Sequence, residues 1–236
     1  MPIPHTLIIA PGAASPTHPR YREAREALVD AASERGYTKI ETLSYPGHDH
    51  DGYALHLDTS SAAIIGAIKS HCAGGGTPSI LARSYGCYAA VRALIDADVQ
   101  IERLVLWGPP PYWLMYEFWR RDLDRIVPDI HMTRKEEAAA RFTRIDGSFF
   151  ESLVPIEVLL QDRILASRLQ HLVLATGEAD PYCPPPFLQY LGSLIRALGN
   201  NALVCDAIPG VGHSVLAREC SPDSWARYLD AVLGAW

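Results

Sequence analysis

The chain has 236 residues, 48% of them hydrophobic and 20% charged, a length and balance that fit one α/β domain without a large disordered fraction. Its formal net charge is −6 and its Lys and Arg residues are scattered, which excludes the basic footprint of a nucleic-acid binder. No apolar run reaches membrane-spanning length and Met1-Pro2-Ile3-Pro4-His5 does not open a secretory signal, so a cytoplasmic location is expected, with the five odd and widely spaced cysteines as reduced thiols.

Short apolar, β-rich runs alternate with longer helical patterns, which predicts a mostly parallel sheet of about six strands in a three-layer α/β/α sandwich. A strand over residues 6–10 leads to a helix over 21–35 that stops at Gly36. A strand over 40–45 leads through Pro46-Gly47 to a helix over 60–72 that stops before three glycines. The third strand, 79–82, runs past Ser84 into a helix over 87–96, and the fourth covers 103–107. Strands over 171–176 and 202–208 follow, with helices from about Pro186 to Ala197 and over 223–233; proline in a first helical turn forfeits no hydrogen bond. The nearly continuous apolar content of the strands is what burial on both faces requires. Between 109 and 168 the rhythm breaks. This stretch opens with Pro109-Pro110-Pro111, carries helical patterns over 112–127 and 134–145, and reads as a helical lid within a single domain spanning 1–236.

Three segments carry chemistry. Ser79-Ile80-Leu81-Ala82-Arg83-Ser84-Tyr85-Gly86 joins an apolar strand to a small-residue helix through a tight turn that holds a serine. A serine there has strained dihedrals, so the residues two positions away must be small, and Ala82 and Gly86 are. Gly177-Glu178-Ala179-Asp180 places acids just past the fifth strand, and Gly210-Val211-Gly212-His213 places a glycine-flanked histidine just past the sixth.

In that order, serine, acid, histidine, the chain resembles the α/β-hydrolase superfamily over nearly its whole length. Ala10-Pro11-Gly12-Ala13-Ala14 and Tyr45-Pro46-Gly47-His48 are similar to that family's oxyanion loop and Pro-Gly-His turn. The resemblance implies Ser84 as nucleophile, His213 as base and Asp180, rather than the neighbouring Glu178, as the acid that orients it. It also implies an oxyanion hole from the backbone N–H groups of Tyr85 and Ala13, with Gly12 or Ala14 as alternatives to Ala13. The expected function is hydrolysis of an ester, thioester or related acyl bond through an acyl-enzyme, with a carboxylesterase acting on a small to medium apolar substrate as the leading reading. The same triad also serves acyl transfer, carbon–carbon bond hydrolysis and hydroxynitrile-lyase cleavage, and a non-catalytic binding protein is a further alternative.

No cofactor or metal is expected. His48-Asp49-His50-Asp51, with His56 and Asp58, contains metal-binding residue types but reads as a polar loop. Arg83 is expected to pair with a carboxylate of the fold, an anionic substrate group being the other reading. Trp113 and Tyr116, from the aromatic run that opens the insertion, are candidates for the wall of a pocket for a small-molecule acyl substrate, core packing of the lid being the alternative.

Overall fold

Six strands form one sheet in which every neighbouring pair is parallel: β1 (Thr6–Ala10), β2 (Lys39–Thr42), β3 (Ser79–Arg83), β4 (Ile101–Trp107), β7 (Leu169–Gly177) and β8 (Leu203–Ile208), in the order β2-β1-β3-β4-β7-β8. The structure is a computed structural model and describes residues 5–13, 16–17, 19–48, 53–114, 130–131, 144–145, 147–199 and 203–234. Successive side chains of a strand point to opposite faces, so the sheet feeds two cores. Ile8, Ile80, Leu104 and Leu172 pack on one face with helices α2 (Leu57–Cys72), α3 (Tyr85–Asp96) and α7 (Pro185–Ala197). Leu7, Leu81, Val105 and Val173 pack on the other with α1 (Pro19–Glu34) and α8 (Pro222–Leu233). This is the three-layer α/β/α sandwich with six parallel strands that the alternation predicts. Each fully buried side chain of this size contributes about 1.5–3 kcal/mol of hydrophobic stabilisation.

The helix starts are set locally. The Ser221 hydroxyl accepts a 3.1 Å hydrogen bond from the Ser224 amide at the head of α8, and Pro222 occupies the first turn, where its missing N–H costs nothing. His56 caps α2 by accepting from the Asp58 amide at 3.3 Å. His48 is buried and its Nδ1 accepts from the Tyr45 amide at 3.1 Å, so both histidines are used by a turn or a cap, while Asp49, His50 and Asp51 lie outside the described residues. Among the described residues no cluster of three metal-ligating side chains forms, and no helix is long and apolar enough to cross a membrane. The five cysteines are free thiols.

Several element boundaries lie one to three residues from their predicted places. β2 ends at Thr42 rather than 45, because only the Leu43 amide, bonded to the Ile9 carbonyl at 3.0 Å, continues the ladder before the chain turns. Helix α3 begins at Tyr85, immediately after the serine rather than three residues beyond it.

The insertion departs further. Tyr112 to Leu114 are helical, but most of the predicted helix over 112–127 and residues 134–143 of the second lie outside the described residues. The end of the second, Arg144–Ile145, is a strand, β6, paired antiparallel with β5 (Ile130–His131), so its backbone groups bond across to a neighbour instead of along a helix. Three short helices follow, α4 (Gly147–Ser152), α5 (Ile156–Leu159) and α6 (Leu165–Arg168). They bury Phe149, Phe150, Ile156, Leu159 and Leu165 in the same core as α3.

Candidate active site

The strand order reverses between β1 and β3: from β1 the chain goes outward to β2, then returns past β1 to β3. In parallel sheets the crevice at such a switch point, beyond the carboxyl ends of the strands, is where ligands bind. A cavity of about 190 Å³ lies there, bordered by Gly12 and Ala13 after β1, Ser84 and Tyr85 after β3, Trp107 and Pro110 at the end of β4, and His213 after β8.

Ser84 is the sole non-glycine residue with positive φ among the described residues, at φ 52° and ψ −123°. Such a conformation costs on the order of 1–3 kcal/mol and persists only where the surroundings impose it. Here the Ser84 amide is tied to the Trp107 carbonyl at 2.9 Å, and helix α3 starts at the next residue. The crossing with β1 is so close that a Cβ on Gly86 would stand 2.3 Å from the Pro11 carbonyl oxygen and 2.6 Å from that of Ala10. The small residue at this position is therefore a steric requirement.

Asp180 is 3% exposed and its carboxylate is fully engaged. Oδ1 accepts from the amides of Tyr182 at 2.8 Å and Cys183 at 3.0 Å; Oδ2 lies 2.9 Å from Thr176 Oγ1 and 2.8 Å from His213 Nδ1. A carboxylate offers only acceptors, so the His213 proton belongs on Nδ1 and Nε2 is left with a free lone pair. The loops that carry the two residues are stitched together by the Ala179 amide on the Val211 carbonyl at 3.0 Å and the Glu178 amide on the Ile208 carbonyl at 2.9 Å. Glu178 itself is exposed, which separates the two acids that the sequence offers. Ser84 and His213 border the same cavity and make no hydrogen bond with each other.

Four residues of the site are not picked out by the sequence reading. The Thr176 hydroxyl reaches both Asp180 Oδ2 and, at 3.0 Å, the Cys183 carbonyl, so its single proton serves one acceptor at a time. Gly108, with φ +57°, lies against Asp180 and His213: a Cβ there would stand 2.9 Å from Asp180 Oδ2 and 3.0 Å from His213 Nδ1. Its signal is a glycine directly after a strand, in Trp107-Gly108-Pro109. The buried Trp107 indole donates to the His213 carbonyl at 3.2 Å, and the Tyr182 ring packs on the imidazole with centroids 4.7 Å apart.

Ala13 borders the cavity beside Ser84 and Tyr85. Trp113 does not: it is 58% exposed and does not line the cavity, because the described part of its helix presents it to solvent. Tyr116 lies outside the described residues. The ring that the described part of the insertion brings to the cavity is Phe149, packed on Tyr85 at 5.1 Å between centroids. Arg83 also departs from expectation. It is half-buried at the cavity wall and pairs with no carboxylate among the described residues, because none of the residues bordering that wall is acidic. Burial raises the pKa of the Cys87 and Cys183 thiols, so neither supplies a thiolate in competition with Ser84.

No protein-family model matches the chain, and no curated protein is similar to it. Solved structures do match. A monoacylglycerol lipase of Paleococcus ferrophilus superposes with a TM-score of 0.66 at 17% identity, over 97% of this chain and 92% of that one. The esterase domain of a Rhodothermus marinus protein gives 0.65 at 15% identity, over 100% and 87%. A deformylase of Pseudomonas putida S16 gives 0.60 at 17% identity, over 89% and 86%. With the parallel sheet, the strained serine after β3 and the acid and histidine after β7 and β8, these likenesses establish that the chain has the α/β-hydrolase fold.

Proposed function

We propose that the chain is a serine hydrolase that cleaves an ester or related acyl bond, with Ser84 as nucleophile, His213 as general base and Asp180 as the residue that orients it. The observation that carries this reading is the Asp180–His213 hydrogen bond of 2.8 Å beside a serine held at φ 52° in one cavity. The lipase, esterase and deformylase neighbours support it, since all three names describe cleavage of an acyl bond.

Ser84 Oγ attacks the acyl carbon while His213 Nε2 takes its proton, and Asp180 stabilises the imidazolium without being protonated. The carbonyl oxygen becomes an oxyanion. The amides of Tyr85 and Ala13 stabilise it, each such donor being worth about 10²- to 10³-fold in turnover. Collapse of the adduct expels the alcohol, which leaves with the proton from Nε2. Water then loses a proton to Nε2, attacks the acyl-Ser84 ester, and frees the acid and the serine hydroxyl. The lining of Ile9, Pro11, Leu28 and Phe149 suits a small to medium acyl or alcohol group with apolar surface, and the reading is that of a carboxylesterase.

Labelling with a fluorophosphonate and hydrolysis of p-nitrophenyl esters of graded chain length test the assignment on wild type, Ser84→Ala and His213→Ala. Labelling at Ser84 is expected, with turnover reduced about 10⁴- to 10⁶-fold in both variants. A folded wild-type protein that neither labels nor turns over any ester would refute it.

A further inference from the structure

The cavity beside Ser84 is bordered by two arginines, one of which, Arg83, has no partner among the described residues. Arg83 and Arg25 both border it and, among the described residues, no Asp or Glu does, in a chain that has 27 acidic residues against 21 basic ones. Several other arginines of the fold have partners. Arg103 donates to the carbonyls of Gly234 and Ala231 at 2.7 and 2.8 Å, Arg92 pairs with Asp96 and Arg35 with Asp230. Arg83, by contrast, is half-buried and makes no hydrogen bond or ion pair among the described residues. Arg25 pairs at 3.7 Å with its exposed chain neighbour Glu26. A guanidinium carries five donors in a planar fork. Holding it half out of water at an apolar wall is costly unless an anion completes it.

Resting on the hydrolase reading above, we propose that the natural substrate is an ester bearing a free carboxylate, which the Arg83 fork grips while Ser84 attacks the ester carbonyl. Arg25 adds to the positive potential of the same wall. Because Arg83 directly precedes the nucleophile in the chain, an anion bound there registers the ester against Ser84 by a fixed covalent spacing. A cavity of about 190 Å³ is below the range of about 300–1,000 Å³ usual for drug-sized ligands, which points to the monoester of a short dicarboxylic acid or a short hydroxy-acid ester. The apolar lining holds the methylene chain, and the arginine holds its end.

Matched pairs of alkyl esters followed by pH-stat titration test this. Monoethyl glutarate and ethyl valerate have the same acyl length and differ in a terminal carboxylate on the acyl side; 3-acetoxypropanoate and propyl acetate differ likewise on the alcohol side. Wild type is expected to favour the charged member of at least one pair by about tenfold or more in kcat/KM, and Arg83→Gln to lower that ratio about 10- to 100-fold, the range for a hydrogen-bonded charge pair. Arg83→Lys keeps the charge but loses the fork and is expected to recover part of the ratio. A purely structural role for Arg83 would depress both members of a pair together and leave the ratio unchanged. A wild-type ratio near one in both pairs, or a ratio that Arg83→Gln does not move, overturns the proposal.

If no ester is turned over, it is the hydrolase reading that fails, and calorimetric titration of Ser84→Ala protein with the same four esters reads the subsite alone. Binding of a charged ester in preference to its neutral partner, lost in Ser84→Ala/Arg83→Gln, upholds the carboxylate site. Equal binding of charged and neutral partners, or none, removes it.

Discussion

Ser84 and His213 border one cavity, yet the fold places them by different means. Ser84 is positioned by exclusion: the β3–α3 turn is pressed against β1 so closely that Gly86 has no room for a side chain, and the serine takes a conformation it would not choose. His213 is positioned by hydrogen bonds, through a carboxylate with four partners drawn from one strand end and two loops. The Ser84 side should therefore fail when atoms are added and the His213 side when a donor or acceptor is changed. Both failures are measurable.

The largest expected effect after loss of the nucleophile or base is in Asp180→Asn. The Asn Oδ1 still accepts from the Tyr182 and Cys183 amides, but its NH₂ then faces His213 Nδ1, which must accept, so the ring proton moves to Nε2 and the base is lost. Turnover of a p-nitrophenyl ester should fall about 10³- to 10⁴-fold with the melting temperature little changed. Retention of near wild-type turnover would mean that Asp180 does not set the tautomer.

Gly86→Ala probes the other side. Its Cβ meets two backbone oxygens, which cannot swing away as a side chain would, so β1 and α3 must separate. Such overpacking costs about 1–3 kcal/mol and should lower Tm by about 3–10 °C in a chain of this size, measured by thermal unfolding, with activity falling as well because the Ser84 turn relaxes. An unchanged Tm would show that the crossing is looser than described.

The smallest effect belongs to Thr176→Val, which keeps the shape and removes one donor from Asp180 Oδ2. Losing one hydrogen bond of a carboxylate that retains three is worth about 1 kcal/mol, or up to about tenfold in kcat/KM. A much larger loss would show that the network acts as a unit, which a double-mutant cycle with Asp180→Asn would measure.

The serine turn was legible because its constraints are local. Within five residues the strand, the turn and the helix dictate Ala82, Ser84 and Gly86, and any chain with that requirement shows it. The acid and histidine were legible for a related reason, as each follows a recognisable strand by a few residues. The insertion was not: residues 144–145 carry a helical pattern but form a strand, since where their backbone hydrogen bonds go depends on Ile130–His131, more than ten residues away. Nor was Arg83 readable. Its charge demands a partner, and only the assembled wall shows that none of the described residues bordering it is acidic.

By itself, then, the sequence determined the alternation of strands and helices, the two-faced sheet, the strained serine and the order in which serine, acid and histidine arrive. These follow from short-range sterics and from periodicity, which a run of neighbouring residues expresses in full. Tertiary structure alone decided that Thr176, Gly108, Trp107 and Tyr182 surround Asp180 and His213, that Phe149 rather than Trp113 reaches the cavity, and that among the described residues two arginines share a wall with no acid. Most of these are contacts between segments far apart in the chain, and burial, hydrogen-bond satisfaction and charge compensation acquire values only when those segments meet.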